Sequence, residues 1–398
     1  MALSLTLKIV SAALMVAGLA SCGGGGGAVS NNPTGITAVR VFGDSLADGG
    51  TFGIRFTVNN AGPGGTATPI FPDLVAKSLG LSAPCNFYNA TSFSSFIAPT
   101  VACKNHAVGG GRINNPVSMG GAGAPFSIPS QMDTAATVAG GAFAATELMI
   151  VDGGGNDSAD IIGAYLGAGT PAGGAAYAAL LGTVLPAATI GTLITQPATA
   201  ASPLNGAQQL GGLYMVALAN KMADDINSKL LARGAKKVVL VNAPAVTGTP
   251  RFKSVLQSVA ASPAGAAGAA GIEALSRGWT QAFNATLQSR LGAEDRVVIV
   301  DLFTDFDNQV NMPAQFGLIS PISPVTGVTD TACPITGLDS TGLPDYNFAA
   351  CTATALDAGP KAATWRQHGF SDGFHPTPYG HVLAAQLLNR ALAIKCWI

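Results

Sequence analysis

Charge is what this sequence has least of. Only 10% of its 398 residues are Asp, Glu, Lys or Arg, against about 25% in ordinary globular chains, and 20 Lys+Arg stand against 21 Asp+Glu. That balance leaves no basic footprint for nucleic acid and no polybasic patch for an anionic membrane surface. No CxxC pair and no His/Cys ligand spacing occurs, so neither a metal site nor a cofactor is expected. No repeat of useful period is present either, which argues against a solenoid. Long apolar runs are scarce. The uncharged residues 175–194 hold more alanine than leucine and are interrupted by Gly182, Pro186 and Gly191. A membrane span there would also divide the strand-forming segments between two sides of a bilayer.

The amino terminus carries a different signal. Lys8 is the only charge before the apolar run 9–17, too short to span a bilayer, so residues 1–21 read as a signal peptide. The run ends in Leu19-Ala20-Ser21-Cys22, which resembles a bacterial lipobox, whose cysteine is lipidated and becomes the first mature residue. Residues 22–36, with Gly23 to Gly27, then form a flexible tether, and residues 37–398 the folded domain. The expectation is an exported protein anchored through Cys22 at an outer membrane or cell surface. A plain cleaved signal, with Cys22 incidental, is the alternative. Cysteine use fits an oxidising compartment: Cys85/Cys103 and Cys333/Cys351 each lie in Gly/Pro/Ser-rich sequence and are expected to form local disulfides. Cys396 is left over, as a buried or carboxyl-terminal free thiol.

Four short apolar, β-prone runs stand out, at 37–42, 147–152, 237–242 and 296–301. Between them lie helix-like stretches at 72–79, 213–233 (closed by Gly234) and 272–291, with a last one at 380–393. Residues 264–270 look like a Gly/Ala loop. Strands alternating with helices argue for an α/β fold, a mainly parallel central sheet between two helical layers. Chemistry in such folds gathers beyond the carboxyl ends of the strands. Residues 161–220 hold no charge at all. They are expected to be ordinary packed helices, with an apolar flap bordering the active site as the alternative.

Ser45 follows the first strand directly, where a turn lifts its hydroxyl to the edge of the sheet. His375 has Asp372 three residues earlier, a carboxylate able to take its other ring proton and fix the tautomer. His106, His368 and His381 have no acidic residue at matching spacing. Four motifs occur in order: Gly43-Asp44-Ser45-Leu46, Asn105-His106-Ala107-Val108-Gly109-Gly110-Gly111, Gly154-Gly155-Asn156-Asp157 and Asp372-Gly373-Phe374-His375.

On these motifs the chain resembles the GDSL, or SGNH, serine ester hydrolases, a three-layer α/β/α, flavodoxin-like fold. The resemblance implies Ser45 as nucleophile, His375 as base and Asp372 as its partner. It further implies an oxyanion site made by the Ser45 and Gly110 N–H groups and the Asn156 amide, with Gly109 and Gly111 as neighbouring registers for Gly110. Asp48 and Asp157 match acidic positions of the pattern and are read as supports. Asp301-Leu302-Phe303, Pro313-Ala314-Gln315-Phe316-Gly317-Leu318 and the later cysteines are similar to the passengers of esterase autotransporters. Unlike those, this sequence ends 23 residues after His375 with no barrel, so a lipid at Cys22 would serve as anchor. The implied substrate is a small-molecule or lipid ester, with an apolar acyl group favoured by residues 161–220. A carbohydrate O-acetyl esterase and a non-catalytic surface binding lipoprotein are the alternatives.

Overall fold

Val, Ile and Leu fill the strand runs without polar interruption, and such runs fold where both faces of a strand are covered. The computed structural model describes residues 34–60, 67–123, 125–200, 202–321 and 330–398. The expected signal peptide, the expected lipidation site Cys22 and nearly all of the expected tether lie outside the described residues. In chain order the elements are β1 (Ala38–Phe42), α1 (Phe71–Ser78), β2 (Asn89–Ser92), β3 (Ser95–Ile97), α2 (Ile128–Val138), β4 (Glu147–Val151), α3 (Gly155–Gly167), α4 (Pro171–Leu181) and α5 (Ala187–Leu193). Then follow α6 (Gly206–Asp225), β5 (Lys237–Val241), α7 (Pro250–Ala261), α8 (Gly265–Leu291), β6 (Val297–Val300), α9 (Leu302–Asn311), β7 (Ile335–Leu338), β8 (Pro344–Tyr346), α10 (Ala353–Asp357) and α11 (Pro378–Ile394).

Strands β1, β4, β5 and β6 pair in that order, all parallel, with Val41, Ile150, Val239 and Val298 in register across the sheet. Side chains alternate between two cores. Phe42, Val151 and Leu240 pack with Met132 of α2, Leu218 of α6 and Phe283 of α8. Val41, Ile150 and Val239 pack with Val75 of α1 and Leu388 of α11. This is the expected α/β/α sandwich, and the four expected strands are its strands. Residues 104–106 add to the free edge of β1: Val41 N–H donates to Lys104 O (3.0 Å) and His106 N–H to Val41 O (2.8 Å). That edge pairing brings the second motif beside the first.

The uncharged region folds as α3, α4, α5 and the start of α6. Tyr177 and Leu181 of α4 and Leu210 and Tyr214 of α6 are fully buried in the first core. None of residues 170–199 lines the cavity at Ser45, so they form no flap over it. Among the described residues no helix is long and apolar enough to cross a membrane. Residues 264–270 are not a loop. They are the opening of α8, because alanine is the strongest helix former and outweighs the glycines there.

Both expected disulfides are present, with Cα–Cα separations of 4.9 Å for Cys85–Cys103 and 5.5 Å for Cys333–Cys351. Cys396 departs from expectation. It is exposed rather than buried, it is disulfide-bonded, and none of the described cysteines is free. An exposed sulfur near a chain end is accessible to another thiol in an oxidising compartment.

Candidate active site

Because the strands are parallel, their carboxyl ends share one rim, and three of the four motifs leave it directly. Gly43 follows β1, and a Cβ there would lie 1.3 Å from Asp152 Oδ1, so only glycine fits. The Gln131 side chain of α2 brackets this turn: its Oε1 accepts from Gly43 N–H (2.8 Å) and its Nε2 donates to Gly43 O (3.0 Å). Asp44 then accepts from Leu46 N–H (3.0 Å), which fixes the turn that presents Ser45.

The fourth motif comes from the other end of the chain. Asp372 is buried and its Oδ1 accepts the N–H groups of Phe374 (2.8 Å) and His375 (2.6 Å). Its Oδ2 lies 2.8 Å from His375 Nδ1, and His375 Nε2 lies 2.7 Å from Ser45 Oγ. A carboxylate can only accept, so the proton belongs on Nδ1 and Nε2 is left to accept from the serine hydroxyl. Phe56 and Phe348 stand 5.1 Å and 5.6 Å from the imidazole, centroid to centroid, and box it in. Hydroxyl, imidazole and carboxylate in series can move a proton from Oγ to Nε2 while the resulting cation is stabilised from behind.

Donors surround the hydroxyl. Gly110 has φ +82°, a conformation that favours glycine. Among the described residues neither Ser45 N–H nor Gly110 N–H has a protein acceptor. Asn156 sits in the first turn of α3, behind Gly154 at φ +98°. Its amide is engaged: Nδ2 donates to Asp44 Oδ2 (3.2 Å) and to Gly111 O (3.0 Å). A Cβ on Gly111 would lie 2.5 Å from Gly43 O, so the close approach of these two motifs requires glycine.

Buried carboxylates tie the motifs together. Asp48 accepts from Gly50 N–H (2.8 Å), Thr51 N–H (2.7 Å) and Gly109 N–H (2.7 Å), joining the first motif to the second. Asp157 accepts from Ile113 N–H (3.1 Å) and Asn114 N–H (2.9 Å), joining the second to the third. Burial pushes Asp48 up from the usual carboxylate range and Asp157 up to about 6. Burial also raises Asp44, while burial and the neighbouring Asp44 carboxylate together hold Asp152 well above the ordinary range. The Asp44 N–H donates to Asp152 Oδ1 (3.3 Å). Gln131 and Asp152 were not legible as site residues: one lies in a Gly/Pro-rich region, the other reads as the end of a strand.

The other histidines have partners of their own. Burial lowers His106 and His381 to about 3, so both are neutral. His106 stacks on Phe87 at 4.4 Å, and His381 Nδ1 accepts from Phe71 N–H (3.3 Å). His368 does have a carboxylate, contrary to its sequence neighbourhood: Asp330, 3.3 Å away, reaches it from 38 positions upstream. It does not itself line the Ser45 cavity.

That cavity is about 320 Å³ in volume. From Ser45 and His375 it runs between the β5–α7 loop, α9 and α11, past Val246, Phe306, Val310, Leu318 and Phe370. Residues 39–388 match the family model described as GDSL-like Lipase/Acylhydrolase, a span that takes in all four motifs. No curated protein matches the chain.

Proposed function

The chain belongs to the GDSL-like lipase/acylhydrolase family and is an ester hydrolase, and from that premise we propose that it works through an acyl-serine on esters of apolar acids. Ser45 Oγ attacks the ester carbonyl as His375 Nε2 takes its proton. Asp372 holds the imidazole in the productive tautomer and stabilises its charged form. The developing oxyanion is met by the N–H groups of Ser45 and Gly110, with the Asn156 amide beside them. Collapse expels the alcohol, which takes the proton from His375, and water repeats the sequence to release the acid.

The 2.7 Å contact between Ser45 Oγ and His375 Nε2 carries this reading. The apolar lining of the cavity favours a fatty acyl group over a sugar-borne acetate, whose ring hydroxyls need polar partners. The carbohydrate O-acetyl esterase is therefore the second reading. We propose in addition that the domain, residues 37–398, hangs from the membrane by a lipidated Cys22.

A panel of p-nitrophenyl esters from acetate upward tests the chemistry. The wild-type kcat/KM is expected to rise with acyl length, and Ser45→Ala to lose at least about 10³ in kcat. Turnover confined to acetate would favour the acetyl esterase. Failure of Ser45 to label with a fluorophosphonate would overturn the acyl-serine.

A further inference from the structure

Three glycines in a row, Gly109 to Gly111, carry the second motif past Ser45. A run without Cβ atoms has more backbone freedom than any other, so an N–H within it has no fixed direction unless other groups hold the chain. Asp48 Oδ2 accepts from Gly109 N–H, and Asn156 Nδ2 donates to Gly111 O. Gly110, between them, is held from just beyond the run. Arg112 Nη1 donates to Gly110 O (2.6 Å), and among the described residues this is the one hydrogen bond that Gly110 makes.

The other edge of the same guanidinium faces α3. Arg112 Nε donates to Asp160 Oδ2 (2.6 Å) and Nη2 to Asp160 Oδ1 (3.0 Å), a two-pronged fit that fixes the plane of the guanidinium. The Arg112 side chain is only 14% exposed, so solvent screens the pair weakly. Asp160 stands four residues after Asn156, one turn along the same face of α3. A single side chain thus reaches from the glycine of the oxyanion site to the helix that carries its asparagine. A Cβ built on Gly110 would lie 3.8 Å from Arg112 Nη1, so the guanidinium also packs on that glycine. The main chain of Arg112 is engaged independently: its N–H donates to Phe126 O (2.8 Å) and its carbonyl accepts from Ile128 N–H (2.9 Å). Its side chain can therefore change while those bonds stay.

We propose that Arg112 is a positioning residue for the reaction: braced on Asp160, it fixes Gly110 at a set distance from Asn156, so that their donors converge on one oxygen. Arg112 does not line the cavity and acts through Gly110. Its effect falls on the transition state, because oxyanion donors gain strength as charge develops on the oxygen they meet. The proposal rests on Ser45 as nucleophile and Gly110 as donor.

Steady-state kinetics on p-nitrophenyl butyrate test it in the purified protein. Arg112→Gln lowers kcat by roughly 10–10² with KM unchanged, the scale of a donor displaced by about an ångström. A trifluoromethyl ketone, to whose carbonyl Ser45 Oγ adds as its proton passes to His375, binds more weakly by the same factor, since its oxyanion needs the same donors. The matching methyl ketone, which keeps its carbonyl, binds as it does to wild type. Arg112→Lys retains the charge but has no fork to span both partners, and stays as slow as Arg112→Gln. Asp160→Ala releases the brace at its other end and slows turnover in the same direction. The double variant is then no slower than Arg112→Gln alone. Wild-type kcat in Arg112→Gln, full recovery with lysine, additive losses, or a loss carried by KM and by both ketones alike overturns the proposal. Inactivity of the wild type on this ester would instead sink the acyl-serine reading beneath it.

Discussion

Asn156 holds an ambiguous post. Among the described residues the Ser45 and Gly110 N–H groups have no protein acceptor, whereas the Asn156 amide already serves Asp44 Oδ2 and Gly111 O. Charge developing on a substrate oxygen is a stronger acceptor than the neutral Gly111 carbonyl, so the amide can turn to it as the reaction proceeds. Asn156→Ala is expected to fold normally and lose about 10²–10³ in kcat with KM little changed. Wild-type turnover would remove Asn156 from the oxyanion site. Asp157 gives a pH test. Its native pKa of about 6 stands above the unfolded value near 4, so the protonated form is favoured by folding. That contribution is full below about pH 4 and is lost as pH rises through about 6, on the order of 3 kcal/mol. Urea unfolding at pH 4 and pH 7 should show a smaller fall in stability for Asp157→Asn than for wild type. Equal falls would refute the assignment, since Asp44, Asp48 and Asp152 are common to both proteins.

At the level of elements, the parallel sheet was legible because strands buried on both faces must be apolar throughout, and runs such as Lys237–Val241 have no other use. The convergence of Ser45, His375 and Asp372 was legible because each stands in a motif whose spacing is set by the turn that presents it. Helices α7 and α9 were not read. Yet Thr249 before Pro250 and Asp301 before Leu302 are N-caps, accepting from Phe252 N–H (3.4 Å) and Thr304 N–H (3.1 Å). The β2–β3 hairpin left no trace in periodicity, since Asn89–Ser92 is a polar strand half in water. It depends on its aromatic neighbours and on a disulfide 18 residues wide. The Cys333–Cys351 bond does the same near His375, with Cys333 N–H donating to Ser371 O (2.8 Å) and Cys351 O accepting from Asn59 N–H (2.9 Å). Replacing either pair by serines is expected to lower the unfolding free energy by about 3 kcal/mol, read from denaturant melts. Unchanged midpoints would show that neighbouring contacts alone hold these loops.

For the molecule as a whole, the attachment to a membrane turns on sulfur chemistry. Cys22 is the only cysteine outside the described residues, and lipidation would place its sulfur in a thioether. A sulfur so used cannot enter a disulfide. The anchoring proposal therefore predicts an acylated mature protein in the membrane fraction, with Cys22→Ser released into the medium. An intact mass that shows a third disulfide and no acyl groups would sink it.

The contact between Ser45 and His375 spans 330 positions of sequence. Closing so long a loop is entropically late in folding, and α11, which follows His375, docks against α1 near the start of the sequence. A nascent or clipped chain that stops short of residue 375 carries a nucleophile with no base to activate it. Hydrolytic power therefore arrives only with the last part of the polypeptide, and an unfinished copy stays inert toward any ester.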